Sequence, residues 1–348
     1  MTNLHSMIVN TDGPSGTGAP ETSADFEAGY RALTTGAALI DRTGCSRILL
    51  AGKDVLDLLN RLSTNSLLDL STGAAMGSVL TSDRGRIVDV LLIVRRAEHE
   101  LLLLSGAPSS QASMDWIDRF TFDEDARLKD ISPETVQMAI AGPEAQETVR
   151  RMAGRAAASL GPNAYLQIDI AGVRADVVRT DSPGPPCWEF IVPVSEREPL
   201  TALARVEGAE LAGLSAWESV RTEMGVPAQG HEFTGEANPL EAGIKHLVSF
   251  TKGCYVGQEV IARLDTYDKV QRILAGLVSD APLTPGAALT SGGHDAGRIT
   301  SAAYSPSLRR QIGLGLVRRS HADAGSRLDS PSGPVTIAPL PLNMNGPA

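Results

Sequence analysis

The sequence predicts an α+β chain that ends in a small all-β barrel. Two observations carry this. Over residues 46–224, strand-like runs alternate with stretches whose apolar residues recur at helical spacing. From residue 270 onward, short strands are broken at close intervals by Gly, Pro, Ser and Asp, the pattern of a barrel or sandwich.

Residues 46–50 form a short β-type run, after which Val55, Leu58, Leu59 and Leu62 recur at helical spacing, predicting a helix over 55–65. Strands at 78–80 and 87–94 flank the turn Asp83-Arg84-Gly85. A partner strand follows at 100–104 and a helix at 114–120. A second unit opens with the buried strand 136–141. Pro143 then suits a first helical turn, with Glu144 and Glu147 near its positive end. Segments 166–170 and 175–178 bracket a hairpin turn at Ala171-Gly172-Val173. Residues 189–194 read as a strand, 196–207 as a helix, and Ser215-Ala216-Trp217-Glu218 as a capping box opening a helix through Met224. The expected organisation is a disordered tail at 1–24, two intertwined α+β units over 25–265, and the barrel over 266–340.

At 348 residues, with 42% hydrophobic and 21% charged side chains, the chain suits two or three globular domains. A net charge of −10 argues against direct nucleic-acid binding, which rests on clustered cations. The pairs Arg309-Arg310 and Arg318-Arg319 read as solvated strand ends. No apolar run reaches the length of a membrane span, and residues 1–24 lack the pattern of a signal peptide. Three scattered cysteines give neither a disulfide framework nor a paired zinc motif, and a reducing cytoplasm is the expected compartment. No dinucleotide, Walker, nucleophile-elbow or zincin motif is present.

The chemistry-bearing stretch is Lys252-Gly253-Cys254-Tyr255-Val256-Gly257-Gln258-Glu259. A thiol beside a cation where a turn enters a helix is expected to be nucleophilic or metal-seeking. The octapeptide resembles the Lys-Gly-Cys-Tyr-Thr-Gly-Gln-Glu signature of YgfZ-type folate-binding proteins, departing from it only at Val256. Leu39-Ile40-Asp41-Arg42, the 48–54 run, Arg221 to Gly225, Pro239-Leu240-Glu241-Ala242-Gly243 and Gly297 to Ser301 resemble successive blocks of the wider aminomethyltransferase (glycine-cleavage T-protein) superfamily.

That resemblance implies a three-domain cloverleaf around a central tunnel holding tetrahydrofolate, with Arg221 and Glu189 among the folate-binding residues. Arg221 alternatively pairs with Glu218 on its own helix. Glu189 alternatively is an edge-strand carboxylate facing water. The transferases carry a Gly-Gly-x-x-Asp-Asp block whose second Asp is catalytic. Here Asp89 stands at the first of those positions and Val90 at the second, so Asp89 is a folate-site candidate only if a bulge turns it inward. The YgfZ-type branch supports assembly or repair of iron–sulfur clusters in client enzymes, tRNA-modifying ones included. The roles implied are Cys254 as reactive thiolate, Lys252 lowering its pKa, and Gly253 and Gly257 permitting the tight backbone. Tyr255 stacks on the ligand or sits in the core, and Gln258 and Glu259 bond the turn or simply occupy the first helical turn. The implied partners are iron–sulfur client enzymes or assembly factors, with the chain itself a monomer holding no resident metal. The alternatives are a folate-dependent aminomethyltransferase and a folate-binding module without catalysis.

Overall fold

A computed structural model describes residues 22–180 and 185–342, so most of the expected tail, the closing 343–348 and part of the Pro/Gly approach to Cys187 lie outside the described residues. Helix α1 (Ser23–Thr35) begins inside the stretch expected to be tail. A capping box starts it there: Asp25 N–H donates to Thr22 Oγ1 at 3.2 Å, and Thr22 N–H donates to the Asp25 carboxylate at 3.0 Å. Then come β1 (Ala38–Asp41), β2 (Ser46–Ala51), α2 (Val55–Leu62), β3 (Ala75–Thr81), β4 (Ile87–Ala97), β5 (Glu100–Ser105), α3 (Gln111–Asp118) and β6 (Arg127–Asp130). The next elements are β7 (Thr135–Ala141), α4 (Ala145–Ala158), β8 (Ala164–Ile170), β9 (Val173–Thr180), β10 (Cys187–Pro193), α5 (Arg197–Val206), β11 (Glu210–Leu211) and α6 (Leu214–Met224). After a long irregular connection, α7 (Gln258–Thr266) leads into β12 (Arg272–Ser279), β13 (Ala288–Ser291), β14 (His294–Ser305), β15 (Arg310–Arg318), β16 (Arg327–Ser330) and β17 (Gly333–Ala338).

Three sheets result among the described residues. The first runs β11-β1-β7-β10-β9-β8, the second β3-β4-β5-β2-β6, and β12 to β17 close a six-stranded barrel. The chain lays β1 into the first sheet, leaves to build the whole second sheet, and returns with β7 antiparallel to β1. The two open sheets are stitched at their edges, where Ala75 N–H donates to Asn163 O at 2.7 Å and Tyr165 N–H to Gly73 O at 2.8 Å.

Val90, Leu91, Leu92, Ile93 and Val94 are all 0% exposed, an unbroken apolar run because both faces of the second sheet are covered. Leu91 and Ile93 pack on α2 and α3 with Leu58, Leu59 and Ile117. Val90, Leu92 and Val94 face the molecular centre, where they meet Val178 and Ile191 of the first sheet, Phe233 and Leu247 of the long connection, and Leu316 of the barrel. In the first sheet, Met138, Ile140, Trp188 and Phe190 pack on α4 and α5, while Ile40, Ala139 and Cys187 face α1 and α6.

Several local expectations change. α2 ends at Leu62, not at 65, because Ser63 turns to bridge Leu80. Pro143 lies before α4, whose N-cap is Glu144. The Ser215–Glu218 capping box does not form: α6 starts two residues earlier behind an extended Gly213, and Glu218 turns to Arg221 instead.

Candidate functional site

Strand alternation puts Gln137 of β7 and Glu189 of β10 on the face opposite Met138 and Phe190. There Gln137 Nε2 donates to Glu189 Oε2 at 3.2 Å. Arg42, just past β1, is anchored by its own N–H to Gln137 O at 2.8 Å. Its NH1 lies 3.5 Å from Glu189 Oε1. Two thiols border the pair, Cys45 Sγ at 3.7 Å from Arg42 NH2 and Cys187 Sγ at 4.0 Å from Glu189 Oε1. Every one of these five residues is buried. Burial opposes the Arg42 charge most strongly, and the Glu189 carboxylate together with Cys45 and Cys187 outweighs it, so the arginine pKa is raised. Burial, then the Glu189 charge, pushes the Cys187 thiol well up, so it stays protonated.

Glu189 is therefore not an edge carboxylate facing water. Beside it, Arg42 Nε and NH1 and Gln137 Oε1 have no hydrogen-bond partner among the described residues, and neither has Ser46 Oγ at the start of β2. Buried donors and acceptors are nearly always satisfied, and leaving them open is costly. A cluster of them beside an ion pair fits a planar ligand that brings both donors and acceptors.

Asp89 does not join this cluster. It is buried on the α3 side of the second sheet, accepting from Ser105 Oγ at 2.7 Å, from Val90 N–H at 2.8 Å, and from Ser113 Oγ. Burial raises its pKa against these three donors. A bulge does occur, but it falls at Val88: Leu80 pairs with Asp89 and Thr81 with Ile87. The alternation from Asp89 to Val94 is left intact, so Val90 is the residue facing the centre.

Arg221 takes its helical alternative and more. It is 1% exposed, donates through Nε to Glu218 at 2.6 Å and through NH2 to Ser301 Oγ of the barrel at 2.9 Å, and has Glu232 at 3.7 Å. Its fork is filled by protein groups that join α6 to the barrel. Burial opposes its charge, and Glu218 and Glu232 together raise its pKa.

Residues 252–257 of the octapeptide form the loop before α7, and Gln258 and Glu259 open the helix. Cys254 is exposed, three residues ahead of the N-cap Gly257 and so short of the helix end itself. The Lys252 ammonium is given over to backbone, donating to the carbonyls of Ser63 at 2.8 Å and Asn65 at 2.6 Å, and to that of Asn60. It thereby caps the C-terminus of α2 and lies 5.4 Å from the Tyr255 ring centroid. Burial alone pulls its pKa down to about 8. Tyr255 is a core residue, packed with Leu240, Val248 and Ile261, and burial lifts its pKa to about 12. Gly257 is required: φ is +85°, and a Cβ would stand 2.4 Å from Ser82 O. Gly253 is not, since a Cβ there meets nothing within 4 Å. Gln258 Nε2 reaches Lys252 O at 3.5 Å, and Glu259 sits exposed in the first turn of α7.

Sequence reasoning missed Arg42, Gln137, Cys45 and Cys187 as one group. A signal was present in Asp41-Arg42, charges directly abutting an apolar strand, but their convergence depends on β1 pairing with β7 across 93 residues of intervening second sheet and connections.

Residues 17–252 match the GCVT N-terminal domain, and residues 272–339 match the glycine cleavage T-protein C-terminal barrel domain. The segment between them holds Cys254 and α7. An aminomethyltransferase of Geobacillus kaustophilus is 28% identical over 86% of this chain and 84% of the relative. A provisionally named chloroplastic transferase of Arabidopsis thaliana is 28% identical over 99% of this chain and 81% of the relative. The crystal structure of the glycine cleavage system aminomethyltransferase T from Bartonella henselae superposes with a TM-score of 0.82 at 20% identity, covering 91% of this chain and 89% of that one. The edge-stitched pair of sheets, the closed barrel and these two domain matches together make this chain a member of the glycine-cleavage T-protein family, with its aminomethyltransferase-like fold.

Proposed function

We propose that this chain binds tetrahydrofolate and supports assembly or repair of iron–sulfur clusters in client enzymes through Cys254, without transferring an aminomethyl group itself. The observation that carries the reading is the orientation of β4: Val90 faces the centre and Asp89 is turned to Ser105 and Ser113. A transferase needs a carboxylate beside the folate nitrogen that accepts the one-carbon unit. An apolar side chain cannot do that work.

The buried cluster of Arg42, Gln137 and Glu189 fits a pterin, whose edge carries donors and an acceptor in one plane. Bound there, tetrahydrofolate supplies a one-carbon carrier or a reducing ring next to the protein. Cys254, exposed on the loop before α7, is open to a client in a way the buried Cys45 and Cys187 are not. The partners are accordingly iron–sulfur enzymes, tRNA-modifying ones among them, or their assembly factors.

A second reading, aminomethyl transfer, is favoured by the names of the relatives at 25–28% identity. One experiment separates the two. Cells lacking this protein are assayed for a cluster-dependent tRNA-thiolating enzyme and complemented with wild type or Cys254→Ala at matched abundance. Rescue by wild type alone supports the maintenance role. Equal rescue sinks it, and methylated-amine turnover with tetrahydrofolate then decides for or against transfer.

A further inference from the structure

Resting on the folate reading above, we infer that Arg42 is a specificity-determining residue that reads the 4-oxo group of the pterin, so that the site accepts 4-oxo and rejects 4-amino pteridines. The protein leaves a definite set of polar atoms open at this site. Glu189 is a carboxylate and accepts only. Gln137 already donates to it through Nε2, leaving Oε1 as a second open acceptor. Arg42 donates only, and its Nε and NH1 have no hydrogen-bond partner among the described residues although the side chain is 2% exposed. The nearest donor and acceptor of the two sets, Arg42 NH1 and Glu189 Oε1, are 3.5 Å apart, too long for a hydrogen bond of their own.

The surface offered is thus acceptor, acceptor, donor, with the donor permanently charged. The complementary edge is donor, donor, acceptor. The 2-amino group, N3–H and 4-oxo oxygen of a pterin present that order. In a 4-amino pteridine N3 becomes an acceptor and position 4 a donor. An N–H then meets the Arg42 guanidinium, and a lone pair meets the Glu189 carboxylate. Both mismatches fall in a buried site, where unpaired polar groups are penalised most. The bordering thiols supply no alternative acceptor of comparable strength: Cys45 is engaged with Arg42, and the Cys187 thiol is held protonated.

The test titrates the full chain, kept anaerobic, with tetrahydrofolate and separately with its 4-amino analogue, reading affinity calorimetrically. Tetrahydrofolate should bind about 100-fold more tightly or better, as expected for two mismatched charge-assisted bonds. Arg42→Met alone strands the buried Glu189 charge, so the paired variant Arg42→Met/Glu189→Gln is measured with circular dichroism as a folding control. In that variant the preference should fall below about tenfold. Equal binding of the two ligands to wild type would overturn the role of Arg42 while leaving folate binding intact. A preference that survives in the folded double variant overturns it as well. If folded wild type binds neither ligand, the folate reading fails first and takes this inference with it.

Discussion

The Lys252 ammonium lies 2.8 Å from the carbonyl oxygen of Ser63, tying the cysteine loop to the end of α2 across 189 residues of sequence. The lysine therefore holds the Cys254 loop in place through backbone, where sequence adjacency alone suggests an electrostatic partner. Burial brings its pKa down to about 8 from 10.5. The folded chain gives up this proton before the unfolded chain does, so between about pH 8 and 10.5 stability rises with pH. Denaturant midpoints of wild type and Lys252→Met over pH 7–10.5 check this. The wild type should gain on the variant as pH rises through that window. A wild type that loses ground would mean the three carbonyl bonds to the charged form outweigh its burial.

The two glycines of the octapeptide should behave oppositely. Gly257→Ala adds a side chain at positive φ and drives Cβ against Ser82 O, with a cost of about 2–4 kcal/mol. Gly253→Ala meets open space and should change stability by less than about 0.5 kcal/mol. Thermal unfolding of both variants decides it. Equal losses would contradict the loop geometry.

Cys254 should account for all rapid thiol reactivity of the native chain. It is exposed, whereas Cys45 and Cys187 are buried and the latter is held as a thiol. A chromogenic disulfide reagent should modify one equivalent quickly in the wild type and none in Cys254→Ala, with the other two appearing only on unfolding. Fast modification of more than one thiol would show that the centre opens readily.

Much of the fold was legible because its signals are local: strand alternation, the change of pattern ahead of β12, and the strand-bounding arginines of β15. What escaped is set by distant pairing. Arg221 reads as a ligand-binding arginine or a helical pair from sequence, and only barrel closure brings Ser301 and Glu232 onto it. Arg42, Gln137 and Glu189 lie in three separate stretches that meet because β1, β7 and β10 are neighbours in one sheet. The start of helix α1 is masked in the sequence because its capping pair, Thr22 and Asp25, abuts a Gly/Pro/Ser-rich segment that dominates the local composition.

Arg221 should matter to stability before it matters to any ligand. Arg221→Met leaves the fully buried Glu232 facing only hydroxyl and amide donors, a loss of about 3–5 kcal/mol. Adding Glu232→Gln should restore part of it, since the stranded charge is then gone. Urea unfolding of the single and double variants reads this coupling. Additive losses would show that the two residues act independently.

Asp89 provides the sharpest contrast with transferase chemistry. Its carboxyl is buried and its pKa raised, so the folded chain holds the proton more tightly than the unfolded chain. Stability contributed by the protonated form is then lost as pH rises from the unfolded value near 3.8 through the folded one. Asp89→Asn removes that titration and keeps an acceptor for the Ser105 hydroxyl and the Val90 N–H, so at pH 7 it should match or exceed wild type in stability. Asp89→Ala strands the Ser105 and Ser113 hydroxyls and should cost about 2–3 kcal/mol. Neither change touches the central face, so tetrahydrofolate affinity of the folded variants should stay within about twofold of wild type, a difference of about 0.4 kcal/mol. Urea titrations and calorimetry on the same preparations measure both quantities. A stable Asp89→Asn that no longer binds the folate would mean β4 is turned the other way, with Asp89 inward, and would return aminomethyl transfer to first place.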